Sequence, residues 1–373
     1  MNKILAIRLD SIGDFLMTTP ALRSLQKRFP SAQMDILVQP GVAPVAKTFA
    51  GLHGLETLRC NFLIRGGGRL PGIFEWASKL IELRRRKYDL VVDFSGLFHS
   101  AAAAWATGAR IRIGFRHPVS MGFLTLKNLC HWHSHAVLVN ESSHIADQML
   151  LLPQALGGAP DTGGWEPIRN SDSDFLAVDV LASAGMGPAN GPLVLLHPGG
   201  KWPPRRWSAE NFSLVIDILR EKGIRVAVMG GPGDDTAIDE IRRHCRSEPV
   251  FLWPPAPLET IWGVLKIADA FIGNDSGPMH MAAAAGTPIV ALFGPTHPKR
   301  SAPRGSEFIP FYAALECSPC QQYFEVDKCR RGHNYCMDDF DPSSVAAAAI
   351  RLIDGRENIH RARQFSSPFE SDS

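Results

Sequence analysis

Short apolar runs recur along this chain, and each closes in a small-residue turn that opens a helical pattern. Ile4 to Leu9 is the first, ending in Asp10-Ser11-Ile12-Gly13-Asp14. Behind it Phe15, Thr18, Leu22, Leu25 and Phe29 fall at three- and four-residue steps, the period of one helix face, and Pro30 stops the pattern. Met34 to Val38 reads as a second strand, Phe74 to Lys87 as a helix, and Leu90 to Phe94 as a third strand opening into Ser95-Gly96. Strand, helix, strand in this order predicts a parallel sheet, because parallel neighbours need a crossover connection. The rhythm restarts at Leu193 to Leu196. A helix capped by Ser208 and closed by Gly223 follows, then a strand from Ile224 to Met229 and a helix to about Arg246. A helix from Leu258 to Ala268, a strand from Asp269 to Gly273, a helix from Ser276 to Ala285 and a strand from Pro288 to Phe293 complete it. Pro342 to Ile353 reads as a final helix. Residues 153–192 are rich in Gly, Pro, Asp and Ser and lie between the two rounds. The fold class predicted is therefore α/β, with two doubly wound domains at 1–170 and 171–355 and a polar, disordered tail at 356–373.

Composition excludes several classes. With 45% hydrophobic and 20% charged residues the chain reads as globular rather than disordered. No stretch reaches the roughly 18 apolar residues of a membrane-spanning helix. Arg8 and Asp10 interrupt the N-terminal apolar run, which therefore does not read as a secretory signal. Residues 1–170 carry 19 Lys and Arg against 12 Asp and Glu, while the remainder is acidic. That asymmetry fits either an anionic partner or solvated helix faces. No zinc-finger spacing or aromatic-interleaved basic motif points to nucleic acid.

Ligands of open parallel sheets sit beyond the carboxyl ends of the strands, so the turns carry the chemistry. The first turn lacks a GxGxxG fingerprint, which disfavours a nicotinamide cofactor there. Asp14 fits a helix-start acid suiting the dipole, or a general base. His197 to Trp207 (HPGGKWPPRRW) places Lys201, Arg205 and Arg206 beside glycines and a helix start, a cradle for an anion or a solvated basic loop. Asn274-Asp275-Ser276-Gly277-Pro278-Met279-His280 turns a strand into a helix of small residues, whose first N–H groups suit a diphosphate. His280 there is either a ligand contact or a structural hydrogen-bonding group. Gly294 to Pro298 closes the next strand. Cys317, Cys320, Cys329 and Cys336 have the spacing of a four-thiolate structural site for zinc or iron; disulfides and free thiols are the alternatives. Cys60, Cys130 and Cys245 stand apart.

Two segments, ILAIRLDSIGDFLMTTPALRSLQKRFP and GNDSGPMHMAAAAGTPIVALFGPTHP, with LLHPGGKWPPRRWSAENF between them, resemble the family 9 glycosyltransferases, the heptosyltransferases of lipopolysaccharide core assembly. The resemblance spans Ile4 to about Ile353. It implies a GT-B architecture, two Rossmann-like domains facing a cleft, the first for acceptor and the second for nucleotide-sugar donor. It implies inverting transfer of heptose from ADP-heptose without a catalytic metal or other cofactor. Asp14 then matches the family's base. Asp275, Ser276 and Gly277 match its D-[ST]-G diphosphate turn, and His280 the histidine of that motif. Arg205 stands where the family commonly has Lys, which leaves Lys201, Arg205 and Arg206 as alternative diphosphate contacts. The cysteine cluster recurs in some members. The implied acceptor is an anionic lipopolysaccharide core at the inner face of the cytoplasmic membrane, met from the cytoplasm. Ser11, Gly13, Arg65 and Arg69 are the expected acceptor contacts, with the loop from Arg65 to Phe74 at the acceptor or membrane surface. Another nucleotide sugar, another acceptor, or a degenerate nucleotide-binding protein are the competing readings.

Overall fold

The computed structural model describes residues 1–60, 70–116, 132–140, 142–165, 173–186, 191–252, 255–320 and 328–365. Its chain divides into two compact units, Met1–Asn170 with Lys299–Ser301, and Ser171–Pro298 with Ala302–Ser373.

The first unit is built on β1 (Lys3–Arg8), β2 (Gln33–Val38), β3 (Gly54–Thr57), β4 (Leu90–Asp93), β5 (Ile111–Arg116) and β6 (His135–Leu138). The order is β3-β2-β1-β4-β5-β6, and every pairing is parallel. Helices on both faces bury Ile4 to Arg8 completely or nearly so, which is why β1 reads as a continuous apolar run rather than an alternation. Leu5, Ile7, Leu37, Val91 and Ala103 pack in one core cluster. Helix Ile12–Arg28 carries Pro20 in its interior. Proline cannot donate to the Leu16 carbonyl, and the Thr19 hydroxyl does so instead at 2.7 Å.

The end of this unit is strapped back onto the same helix. Arg23 donates to Asp161 Oδ1 at 3.0 Å and Lys27 to Asp161 Oδ2 at 2.8 Å, while Arg28 reaches the Leu156 carbonyl. Arg23 holds the Asp161 carboxyl well below its ordinary pKa, with Lys27 and the Gly163 N–H adding and burial opposing. A carboxylate depressed in this way stabilises the fold above its unfolded pKa and loses that contribution as pH falls through the folded value. Asp161→Asn is therefore expected to lower the melting temperature at pH 7, and its deficit against wild type to narrow as pH falls from about 4 toward 2, a comparison that a series of thermal melts makes.

The second unit repeats the plan with β7 (Leu193–His197), β8 (Arg225–Met229), β9 (Val250–Leu252), β10 (Ala270–Asn274), β11 (Ile289–Phe293) and β12 (Phe308–Tyr312). The order is β12-β11-β10-β7-β8-β9, again all parallel. Read from its other edge this is the order of the first sheet, the Rossmann arrangement with a switch point beside the first strand. Val194, Leu196, Phe212, Ile216, Ile272 and Leu292 are fully buried in its core. Ser208 caps helix Ala209–Glu221 by accepting from Asn211 N–H at 3.2 Å.

Five strands go unread in the sequence: β3, β5, β6, β9 and β12. Four of them are sheet edges. β12 even contains Pro310, which an edge tolerates because one side of the strand needs no donor. The final helix, expected to end near Ile353, runs from Pro342 to Phe365. The expected disordered tail is thus helical over 356–365, where Arg, Glu, Ala and Gln favour helix despite their polarity. Residues 366–373 lie outside the described residues.

Candidate functional site

In the first unit the turn after β1 lies at the switch point, where β1 and β4 pair and their helices leave in turn. Ser11 is the N-cap of helix Ile12–Arg28 and Asp14 its third residue, and the two form a capping box. Ser11 donates to Asp14 Oδ2 from its N–H at 3.1 Å and from its hydroxyl at 2.6 Å. Arg8, buried at the end of β1, lies 3.3 Å from Asp14 Oδ1 and donates from Nε to the Asp14 carbonyl. The Asp14 side chain stays 30% exposed, so solvent reaches a carboxylate whose orientation is fixed. Gly13 is buried in the helix's first turn and Ser11 is exposed. Arg65 and Arg69 lie outside the described residues.

Sequence reasoning missed Arg8, Asp10 and Ser95. The Ser95 hydroxyl accepts the Leu9 N–H at 2.7 Å, and Asp93 accepts the Ser95 and Gly96 N–H groups. This ties the turn after β4 to the turn after β1. The charged residues interrupting the Ile4–Leu9 pattern were the available signal.

In the second unit Asn274, fully buried at the end of β10, joins two loops. Its amide donates to the Pro198 and Gly199 carbonyls at 2.8 and 3.0 Å, and its oxygen accepts the Trp207 N–H at 3.1 Å. The loop after β7 is thereby fixed against the turn after β10. Arg205 comes to 3.6 Å from Asp275 Oδ2, while Arg206 donates from Nε to the Gly200 carbonyl. Lys201 lies over the Trp202 ring at 4.7 Å. Asp275 is buried; it accepts the Thr296 hydroxyl at 2.7 Å and lies 4.0 Å from His280 Nε2. The carboxylate thus ties the turn to neighbouring loops. Ser276 starts helix Gly277–Ala285 without a side-chain capping bond, and its hydroxyl lies 3.4 Å from His197 Nδ1. The helix start and the guanidinium of Arg205 are the features of this turn that suit an anion.

His197 lies 3.3 Å from Asp234, which also accepts the Gly231 N–H. Burial alone would raise the Asp234 pKa, but His197, Gly231 and Arg206 together hold it below the ordinary value. A Cβ at Gly199 would stand 2.1 Å from the Asp234 carboxylate. Gly199→Ala is therefore expected to cost about 1–3 kcal/mol through overpacking, read as a lower melting temperature.

Among the described residues no group of three or more His, Cys, Asp or Glu stands in a metal-holding arrangement. Cys336 is buried in the core, and burial with the neighbouring cysteines pushes its thiol up to about 12. Cys320 is exposed, and Cys329 donates to the His333 carbonyl at 3.1 Å. The sulfurs are neighbours in unlike environments.

The model of glycosyltransferase family 9 (heptosyltransferase) matches residues 77–330. The chain belongs to this family. It is similar to lipopolysaccharide heptosyltransferase 3 of Escherichia coli K12, 27% identical over 313 residues, 81% of this chain and 85% of that one. Lipopolysaccharide heptosyltransferase 1 of Pseudomonas aeruginosa is 26% identical and matches 96% of this chain and 99% of its own. Among solved structures, E. coli ADP-heptose lps heptosyltransferase II superposes with a TM-score of 0.74 at 20% identity, covering 95% of this chain and 99% of that one. A family 9 glycosyltransferase from Veillonella parvula gives 0.79 at 20% identity, covering 95% and 98%. The fold is GT-B, and the protein is a glycosyltransferase in the family of lipopolysaccharide heptosyltransferases. Among the described residues no helix is long and apolar enough to cross a membrane.

Proposed function

We propose that the enzyme moves a heptose from ADP-heptose to a hydroxyl of the lipopolysaccharide core, with inversion, and that Asp14 is the general base. The observation carrying this reading is the Asp14 carboxylate, oriented by Ser11 and Arg8 and still accessible at the β1–β4 switch point. The acceptor hydroxyl gives its proton to Asp14 as its oxygen bonds to the anomeric carbon. The bond from that carbon to the diphosphate breaks on the opposite face, through an oxocarbenium-like transition state. ADP leaves with growing negative charge. Arg205 and the start of helix Gly277–Ala285 stabilise that charge, with Lys201, Arg206, Ser276 and Gly277 nearby in sequence.

Neutralisation by protein groups is what a transfer without a catalytic metal requires. Asp275 and His280 support the turn that presents those N–H groups. Ser11, Gly13, Arg65 and Arg69 serve the acceptor side, and the excess of cations in residues 1–170 suits an anionic core. The acceptor's lipid anchor places the reaction at the cytoplasmic side of the inner membrane, with peripheral contact.

The test is thermal unfolding with ADP, UDP, GDP and NAD in parallel. Ligand at 100 times its dissociation constant adds about 2.7 kcal/mol. A rise with ADP alone is expected; a rise with UDP or GDP alone would overturn the donor assignment.

A further inference from the structure

We propose that Asp10 is a positioning residue for the base: Arg8 holds Asp10 and Asp14 with one guanidinium, and the Asp10 charge strengthens Asp14 as a proton acceptor. The inference rests on the reading of Asp14 as the base. Arg8 is 5% exposed, so its guanidinium has little room to rotate. Its NH1 lies 3.2 Å from Asp10 Oδ2 and donates to the Phe94 carbonyl, while NH2 lies 3.3 Å from Asp14 Oδ1. Asp10 Oδ2 is buried and has no aligned hydrogen bond, so its pairing with Arg8 is electrostatic.

The groups acting on Asp10 are Arg8 on β1, Asp14 on the first helix, Asp93 at the end of β4 and the Ser95 hydroxyl beside it. The Cys60 thiol beyond β3 feels Asp10 in turn; burial and Asp10 push it up to about 12, so it adds no charge at neutral pH. Asp10 and Asp14 share the one guanidinium, and the Asp93 charge acts on Asp10 from β4. Burial, against the pull of Arg8, pushes the Asp10 carboxyl up to about 6.

While Asp10 is ionised, its charge favours the protonated form of Asp14, the form that accepting the hydroxyl proton creates. Once Asp10 is protonated, Asp14 has the guanidinium to itself and is a weaker base. The two carboxyls titrate as a pair. Activity should therefore fall as pH drops through the Asp10 transition.

The experiment is the pH profile of kcat/KM for ADP-heptose transfer by wild type, Asp10→Asn, Asp10→Glu and Asp14→Asn. The wild-type profile should bend near pH 6. Asp10→Asn should lose the bend and drop the plateau about tenfold, as expected for a weaker base, and Asp10→Glu should restore both. A wild-type profile without the bend overturns the proposal even if Asp10→Asn fails to fold. So does an Asp10→Asn variant with an unchanged profile; an inactive Asp14→Asn then leaves the base reading standing. An active Asp14→Asn overturns both.

Discussion

Replacing Asp14 with asparagine is expected to reduce transfer by about 10²–10⁴-fold, the usual weight of a general base, while ADP still raises the melting temperature. Asparagine keeps an oxygen that accepts from Ser11, so the start of helix Ile12–Arg28 survives. Alanine is the poorer probe. It deletes the capping box and adds a helix-start penalty of about 1 kcal/mol. The bonds from Ser11 at 3.1 and 2.6 Å make that variant structurally compromised. Steady-state transfer together with an ADP melt separates the two effects. A turnover within twofold of wild type in Asp14→Asn would remove Asp14 from the chemistry.

Arg205→Gln is expected to lower kcat by about 10²–10³-fold, the effect of losing one donor aimed at developing charge. Three cations share the loop after β7 and have different neighbours. Arg206 is engaged with the Gly200 carbonyl and lies 4.0 Å from Asp234, and Lys201 lies over Trp202. Arg205 comes to the turn after β10, 3.6 Å from Asp275, beside the start of helix Gly277–Ala285. Arg206→Gln should therefore cost less than Arg205→Gln. Arg205→Lys should recover part of the rate, because a lysine restores the charge but not the fork of donors. Equal losses in the Arg205 and Arg206 variants would place the diphosphate elsewhere in the loop.

The central strands were legible in the sequence and the edges were not, for one physical reason. β1, β2, β4, β7, β8, β10 and β11 lie inside their sheets, where burial on both faces writes an apolar run. β6 reads HAVL and has exposed or half-exposed residues throughout, so nothing in its hydrophobicity distinguishes it from a loop. β5 is interior, but Arg112 and Gly114 break its pattern. At the site, Asp14 could be found because its motif resembles a family signature. Its partner Arg8 could not, because a cation at a strand end looks like a boundary until burial shows otherwise. Asp275 shows the opposite limit. Its motif points to the donor turn, but only the structure shows its carboxylate directed to Thr296 and Arg205.

The most direct test is a transfer assay with purified enzyme, a heptose-deficient lipopolysaccharide core, and ADP-heptose, a UDP-sugar or a GDP-sugar offered separately. Product mass and released nucleotide are read together. The expected result is one heptose added per acceptor with one ADP released, and no transfer from the other two donors. Transfer from the UDP- or GDP-sugar with none from ADP-heptose would contradict the assignment while leaving the family and fold intact.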